Sequence, residues 1–236
     1  MAELKGEERA LYVQDMFSRI APRYDLMNRV MTGGQDLRWR QEAIRLVAVP
    51  PGGLLLDLGA GTGDLAREAL RQEPEANAVA ADFTLEMMRT GRSHHQAASL
   101  RWCGADALHL PFPDECFDAV VSGFLLRNVV DIQYALNEQL RVLKAGGRWV
   151  ALDTTRPRQN LFYPFIMLHL RFIIPGLGRV LTGQSDAYRY LPESTKNFLH
   201  AEQLAGYLID AGLKEVGFQR LMFGAVALHW GRKARQ

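Results

Sequence analysis

Leu54-Leu55-Leu56-Asp57-Leu58-Gly59-Ala60-Gly61-Thr62-Gly63-Asp64 is the stretch on which the fold turns. Its first half is a short apolar run between glycines, the pattern of a strand buried on both faces of a parallel sheet. Its second half alternates glycine with small residues. That lets the chain turn tightly into a helix opening at Asp64 and lets a ligand approach the backbone with no Cβ in the way. In a doubly wound sheet such a turn lies at the carboxyl ends of the strands, where ligands bind.

Residues 8–48 upstream read as helical, with one break at Thr32-Gly33-Gly34. Downstream, the patterning predicts a helix over Asp64–Gln72, a strand over Ala78–Phe83 and a helix over Leu85–Ala97. Further strands are expected at Leu100–Cys103, Phe117–Ser122 and Arg148–Asp153. A helix over Ile132–Leu143 is expected to stop at Lys144-Ala145-Gly146-Gly147, a cation followed by glycine. This alternation predicts an α/β fold with a mostly parallel, Rossmann-like sheet covered on both faces. After a helix at Ala201–Ala211, the extended runs Lys214–Met222 and Ala225–Arg232 meet at Phe223-Gly224, which is hairpin spacing. A parallel sheet closed by an antiparallel hairpin resembles class I S-adenosylmethionine-dependent methyltransferases more than a dinucleotide-binding domain. The expected organisation is a single domain over 1–236: an N-terminal helical cap (8–48), a cofactor-binding core (54–153), a substrate-cap insertion (156–198) and a C-terminal helix and hairpin (201–232).

Bulk properties narrow the partners. Net charge is +2 over 236 residues, which gives no electrostatic case for nucleic acid. Cys103 and Cys116 have no ligand spacing, so neither a disulfide framework nor a metal site is expected, and a reducing cytoplasm fits. The polar, acidic start of the chain lacks the apolar run of a signal peptide. The greasiest stretch, Leu161–Leu181, is interrupted by Pro164, His169, Arg171, Pro175 and Arg179, too often for a membrane span. The expectation is a cytoplasmic protein.

The strand ends carry the cofactor signal. A dinucleotide fingerprint wants a third glycine where Asp64 stands, and an acidic helix start disfavours a pyrophosphate. S-adenosylmethionine has no phosphate and carries an ammonium and a sulfonium. Asp57, Gly59, Gly61 and Thr62 form the turn that would hold its methionine end. Asp82, after the second strand, can accept from both ribose hydroxyls. Asp106 and Ala107, after the third, can read the adenine edge. Any one of these carboxylates alone would pass for a solvated loop acid; three at successive strand ends favour the cofactor.

Four blocks then carry a resemblance over nearly the whole length. They are Tyr24-Asp25-Leu26-Met27-Asn28 with Phe17 and Trp39-Arg40; Leu126-Arg127-Asn128-Val129; Arg141-Val142-Leu143-Lys144-Ala145-Gly146-Gly147; and Tyr188 with Tyr190-Leu191-Pro192-Glu193-Ser194 and Phe198. Together they are similar to the demethylmenaquinone/ubiquinone C-methyltransferases. The chain departs from that pattern at Thr32 (commonly serine), Asp36 (histidine), Leu125 (glycine), Ala145 (proline), Asp153 (glutamate) and Thr155 (serine). Most of these keep the side-chain chemistry; Asp36 does not, so no imidazole base stands there.

The resemblance implies methylation of a ring carbon on a polyprenyl quinol, demethylmenaquinol first, with 2-methoxy-6-polyprenyl-1,4-benzoquinol or another lipophilic phenol as alternatives. Arg127 is expected to favour the phenolate or order a water, Asn128 to hold one ring oxygen and Tyr24 the other. Competing roles are a salt bridge from Arg127 to Asp131 or Asp153, and plain packing for Tyr24. The 161–181 segment reads either as helices capping the domain or packing a homo-oligomer, or as a wall for the isoprenoid tail that touches the inner membrane face transiently.

Overall fold

The computed structural model describes residues 6–94, 100–159, 161, 163–182 and 185–235. Three helices lead the chain: α1 (Gly6–Ile20), α2 (Tyr24–Thr32) and α3 (Gln35–Val47). The glycine break at 33–34 is present, with both glycines left-handed. A second break was not expected: Ala21–Arg23 is a 3-10 turn around Pro22, whose ring cannot continue the preceding helix.

The core then alternates β1 (Leu54–Leu58), α4 (Asp64–Gln72), β2 (Asn77–Asp82), α5 (Leu85–Arg92), β3 (Arg101–Gly104), β4 (Phe117–Gly123), α6 (Ile132–Val142) and β5 (Leu143–Thr154). Residues 95–97, expected to end α5, lie outside the described residues. The stop at 144–147 is corrected. β5 begins at Leu143, paired with Phe117, and the glycines form a bulge before Arg148 pairs with Ala119.

A continuous helical arm follows: α7 (Tyr163–Leu168), a π turn (His169–Ile173) and α8 (Ile174–Thr182), then α9 (Ser185–Asn197). The wide turn falls just before Pro175, which has no N–H to return to the preceding turn. The chain closes with α10 (Ala201–Asp210), β6 (Leu213–Leu221) and β7 (Val226–Lys233).

The seven strands order as β3-β2-β1-β4-β5-β7-β6, with β7 antiparallel to both β5 and β6. The order reverses between β1 and β4, so the carboxyl ends of β1, β2 and β4 surround one crevice. Alternation in the strands builds both faces: Leu55, Ala119, Val121, Val150 and Leu152 pack under α3 and α4. Leu56, Leu58, Val120, Trp149 and Ala151 pack under α6 and α10. A third apolar cluster joins the leading helices to the arm through Met16, Ile20, Met27, Ile166, Leu170 and Ile174.

Candidate active site

The turn after β1 is pinned to β2. Gly59 and Ala60 N–H both donate to the Ala81 carbonyl, at 2.8 and 3.0 Å. Gly59 and Gly61 are left-handed, and a Cβ on Gly59 would meet Leu125 at 2.9 Å. The Asp82 carboxylate accepts from Gly61 N–H and Thr84 N–H, both at 2.7 Å. Burial pushes its pKa up against those two donors.

A small cleft of about 90 Å³ lies over this turn, lined by Gly59, Gly61, Asp82, Ala105, Ala107 and Asn128 among others. Three other residues read from the sequence do not line it. The Asp106 carboxylate turns back to accept Leu108 N–H at 2.9 Å, leaving Ala105 and Ala107 on the wall. Thr62 is buried, its hydroxyl donating to Asp25 at 2.7 Å and so tying the turn to α2. Asp57 lies beneath the turn, fully buried. One oxygen accepts Ala66 N–H at 2.9 Å and the other has no partner among the described residues.

Burial, with Asp82 nearby, pushes the Asp57 carboxyl up to about 7. The fold thus holds this proton more tightly than the unfolded chain. Stability from the group is complete below the usual carboxylate range and is lost as pH rises toward 7. Thermal unfolding of the ligand-free protein should show Asp57→Asn gaining stability over the parent between pH 5 and 8. A constant difference across that range would refute the assignment.

Asp64 has a different role from the one its sequence position suggested. It pairs with Arg67 at 2.6 Å, Arg29 at 2.9 Å and Arg40 at 3.4 Å. Burial raises its pKa, but Arg40, Arg29 and Arg67 outweigh that and hold the carboxyl low. Asp36, fully buried, shares Arg29 and Arg40 and accepts from Thr32 at 3.0 Å. This network clamps α2 and α3 to the start of α4.

A second, larger cavity of about 540 Å³ adjoins the cleft, Phe17, Tyr24 and Phe124 walling both. Its lining is almost wholly apolar, with Met16, Met27, Met31, Ile166, Leu170 and Ile174 prominent. Among its few polar lining residues, Asn28, Arg127 and Thr154 each carry a buried atom with no partner among the described residues. Arg127 pairs with Asp153 at 2.6 Å, and its guanidinium stands 5.2 Å from the Phe124 ring. Asp131, the other partner considered, caps α6 by accepting Tyr134 N–H. Asn128 donates to the Phe124 carbonyl at 2.9 Å and accepts from the Tyr190 hydroxyl at 3.1 Å, so its amide orientation is set from both ends. Burial raises the pKa of Tyr24 and keeps its phenol neutral.

Sequence reading missed Gly91. A Cβ there would lie 2.5 Å from the Thr62 carbonyl and collide with Trp102, so only glycine lets α5 back onto the turn. A glycine inside a helix was the available signal. Gly91→Ala should cost about 1–3 kcal/mol of stability by overpacking and weaken S-adenosylhomocysteine binding. A variant with unchanged melting temperature and affinity would contradict the close approach.

The comparisons agree with this architecture. The ubiE/COQ5 methyltransferase family description matches residues 2–233. The chain is 44% identical to the ubiquinone/menaquinone biosynthesis C-methyltransferase UbiE of Desulfotalea psychrophila, covering 94% of this chain and 90% of that one. It is 42% identical to the demethylmenaquinone methyltransferase of Roseiflexus castenholzii, covering 96% and 95%. Among solved structures, phosphoethanolamine N-methyltransferase 2 of Haemonchus contortus, in complex with phosphomonomethylethanolamine and S-adenosylhomocysteine, shares the fold. Its TM-score is 0.62 at 13% identity, over 84% of this chain and 53% of that one. The chain belongs to the ubiE/COQ5 methyltransferase family, as an S-adenosylmethionine-dependent C-methyltransferase of quinone biosynthesis.

Proposed function

We propose that this enzyme methylates a ring carbon of demethylmenaquinol to give menaquinol. The observation that carries the reading is the apolar cavity of about 540 Å³, with a few buried, unpaired polar atoms in its lining and the small cleft beside it. A flat polar ring on a long hydrocarbon tail matches that distribution. The relatives' names include demethylmenaquinone methyltransferase alone and ubiquinone/menaquinone methyltransferase jointly.

The cleft suits S-adenosylmethionine. The turn presents glycine backbone, Asp82 aligns a carboxylate beneath it, and Asp57, buried below, braces the turn by accepting Ala66 N–H. Asp82 would hold the ribose, Ala105 to Ala107 the adenine, and Gly59 to Thr62 the methionine end. When bound, the cofactor supplies an electrophilic sulfonium methyl. The chain's task is to make the ring carbon nucleophilic and keep water away. A quinone ring is electron-poor; a quinol whose hydroxyl has passed its proton to a water ordered by Arg127 pushes density onto the adjacent carbon. That carbon, once methylated, sheds its own hydrogen as a proton to the same water path to restore the aromatic ring. Arg127, its charge fixed by Asp153, lowers the pKa of that hydroxyl. Tyr24, at the wall shared by both cavities, donates to the second ring oxygen. Asn128, held by Phe124 and Tyr190, fixes the ring's orientation. Within residues 156–198, the cavity-lining Phe165, Ile166, Leu170, Ile174 and Tyr190 act as the substrate cap.

The test is methyl transfer to chemically reduced short-tailed demethylmenaquinol, to its oxidised form and to reduced 2-methoxy-6-polyprenyl-1,4-benzoquinol, with product regiochemistry determined. Turnover of reduced demethylmenaquinol alone is expected. Turnover of the benzoquinol with demethylmenaquinol untouched would move the enzyme to the ubiquinone pathway.

A further inference from the structure

The helical arm has two faces of different fate. Ile166, Leu170 and Ile174 are buried in the cap cluster. Phe165, Leu168 and Phe172, spaced three and four apart, face outward with exposures of 67%, 51% and 63%. Leu161, just ahead of α7, is 82% exposed. An outward apolar row of this kind calls for a partner surface.

Two of the exposed aromatics belong to the large cavity as well. Phe165 and Phe223 both line it, and Phe223 is 68% exposed. A side chain that faces both cavity and solvent stands at the mouth. Phe223 is held there on a left-handed backbone (φ 55°), which non-glycine residues seldom adopt. The cavity mouth therefore opens within the apolar surface.

Charge identifies the partner. Between Asp153 and Asp186 the chain has no acidic residue; of the arginines in that interval, Arg158 pairs with Glu202 and Arg156 donates to the Lys196 carbonyl, while Arg171 stands on the arm itself. Arg171 is exposed beside the row, its guanidinium 6.0 Å from the Phe172 ring. Aromatic and aliphatic side chains with an exposed arginine beside them suit the headgroup region of an anionic bilayer.

We propose that the outward face of the arm, with Phe223, docks on an anionic lipid bilayer and presents the cavity mouth to it, so that a lipid-soluble substrate enters directly from the membrane. The proposal rests on the quinol reading above for what enters, not for the docking itself.

The experiment is co-sedimentation of the full chain with vesicles of phosphatidylcholine alone or with about one-third phosphatidylglycerol. Leu168→Gln/Phe172→Gln and Arg171→Glu are compared with the parent; none of these three residues lines the cavity. The parent should bind the phosphatidylglycerol vesicles preferentially, and the double variant should lose at least roughly tenfold in partitioning. Arg171→Glu should remove the preference for anionic lipid. Turnover of a short-tailed quinol in free solution should be unchanged in the double variant, while turnover of a long-tailed quinol in vesicles falls. A parent that ignores both vesicle types, a double variant that binds like the parent, or a parent dimer that this variant splits would each overturn the proposal. Vesicle binding that follows these variants, without quinol turnover by the parent, would leave the docking face standing and refute the substrate reading instead.

Discussion

Asp82→Ala is expected to weaken S-adenosylhomocysteine binding by roughly two to three orders of magnitude, measured by calorimetry. The side chain holds the turn as well as facing the cleft. It accepts from Gly61 and Thr84 N–H at 2.7 Å each, and truncation leaves both donors without that partner. A hydrogen bond to a charged group contributes about 1.5–3 kcal/mol, and about 1.4 kcal/mol is tenfold in affinity. Truncation loses one or two such bonds to the ribose and also leaves the turn to be ordered on binding, which together set the scale of the effect. Asp82→Asn should fall between, since an amide can accept through one oxygen only and one of the two donors is lost. Melting of the ligand-free variants separates a collapsed turn from a lost contact. An alanine variant that is well folded and binds within about threefold of the parent would remove Asp82 from the cofactor site.

The fold was legible because its deciding features are local. A glycine-bounded apolar run, strand ends with carboxylates and a hairpin at the end of the chain are each written within a few residues. The reversal of strand order between β1 and β4 turns those local signals into one crevice. Interruptions that depend on a partner were harder to read. Lys144 to Gly147 has the composition of a helix stop, yet pairing with β4 draws Leu143 into β5 and leaves the glycines as a bulge. Pro22 interrupts the leading helices at a place where apolar periodicity continues across it.

Site residues divide in the same way. Asp82, Gly59, Gly61 and Ala107 reach the cleft because backbone geometry alone carries them there. Asp106 has the right place in the chain, but Leu108 N–H two residues on is a nearer donor and turns its carboxylate away. Thr62 is claimed by Asp25, 37 residues upstream, and Asn128 by Tyr190, 62 residues downstream. Neither pairing has a periodicity to announce it. Gly91 escaped because its importance lies in what a missing Cβ allows between two elements.

The Arg127–Asp153 pair yields the second large effect, with a control that separates folding from chemistry. Both side chains are buried, and Asp153 also accepts Thr154 N–H at 2.7 Å. Arg127→Met alone should cost about 3–5 kcal/mol of stability, since it strands a buried carboxylate. Arg127→Met/Asp153→Asn removes that charge while keeping an acceptor for Thr154, so its melting temperature should recover most of the loss. Turnover should not recover. With no cation to favour the phenolate, kcat on reduced demethylmenaquinol should stay down by roughly 10²–10³, the scale of losing one preorganised electrostatic contact. Arg127→Lys should fold and retain an intermediate rate, because an ammonium keeps the charge but not the planar fork by which Arg127 is proposed to reach Asp153 and the ring together. The rate deficit should narrow as pH rises and the quinol ionises unaided, whereas a purely structural defect would be the same at every pH. A double variant that melts like the parent and turns over within a few-fold of it would reduce Arg127 to a structural ion pair and shift the search for the activating group to Tyr24 and Asn128.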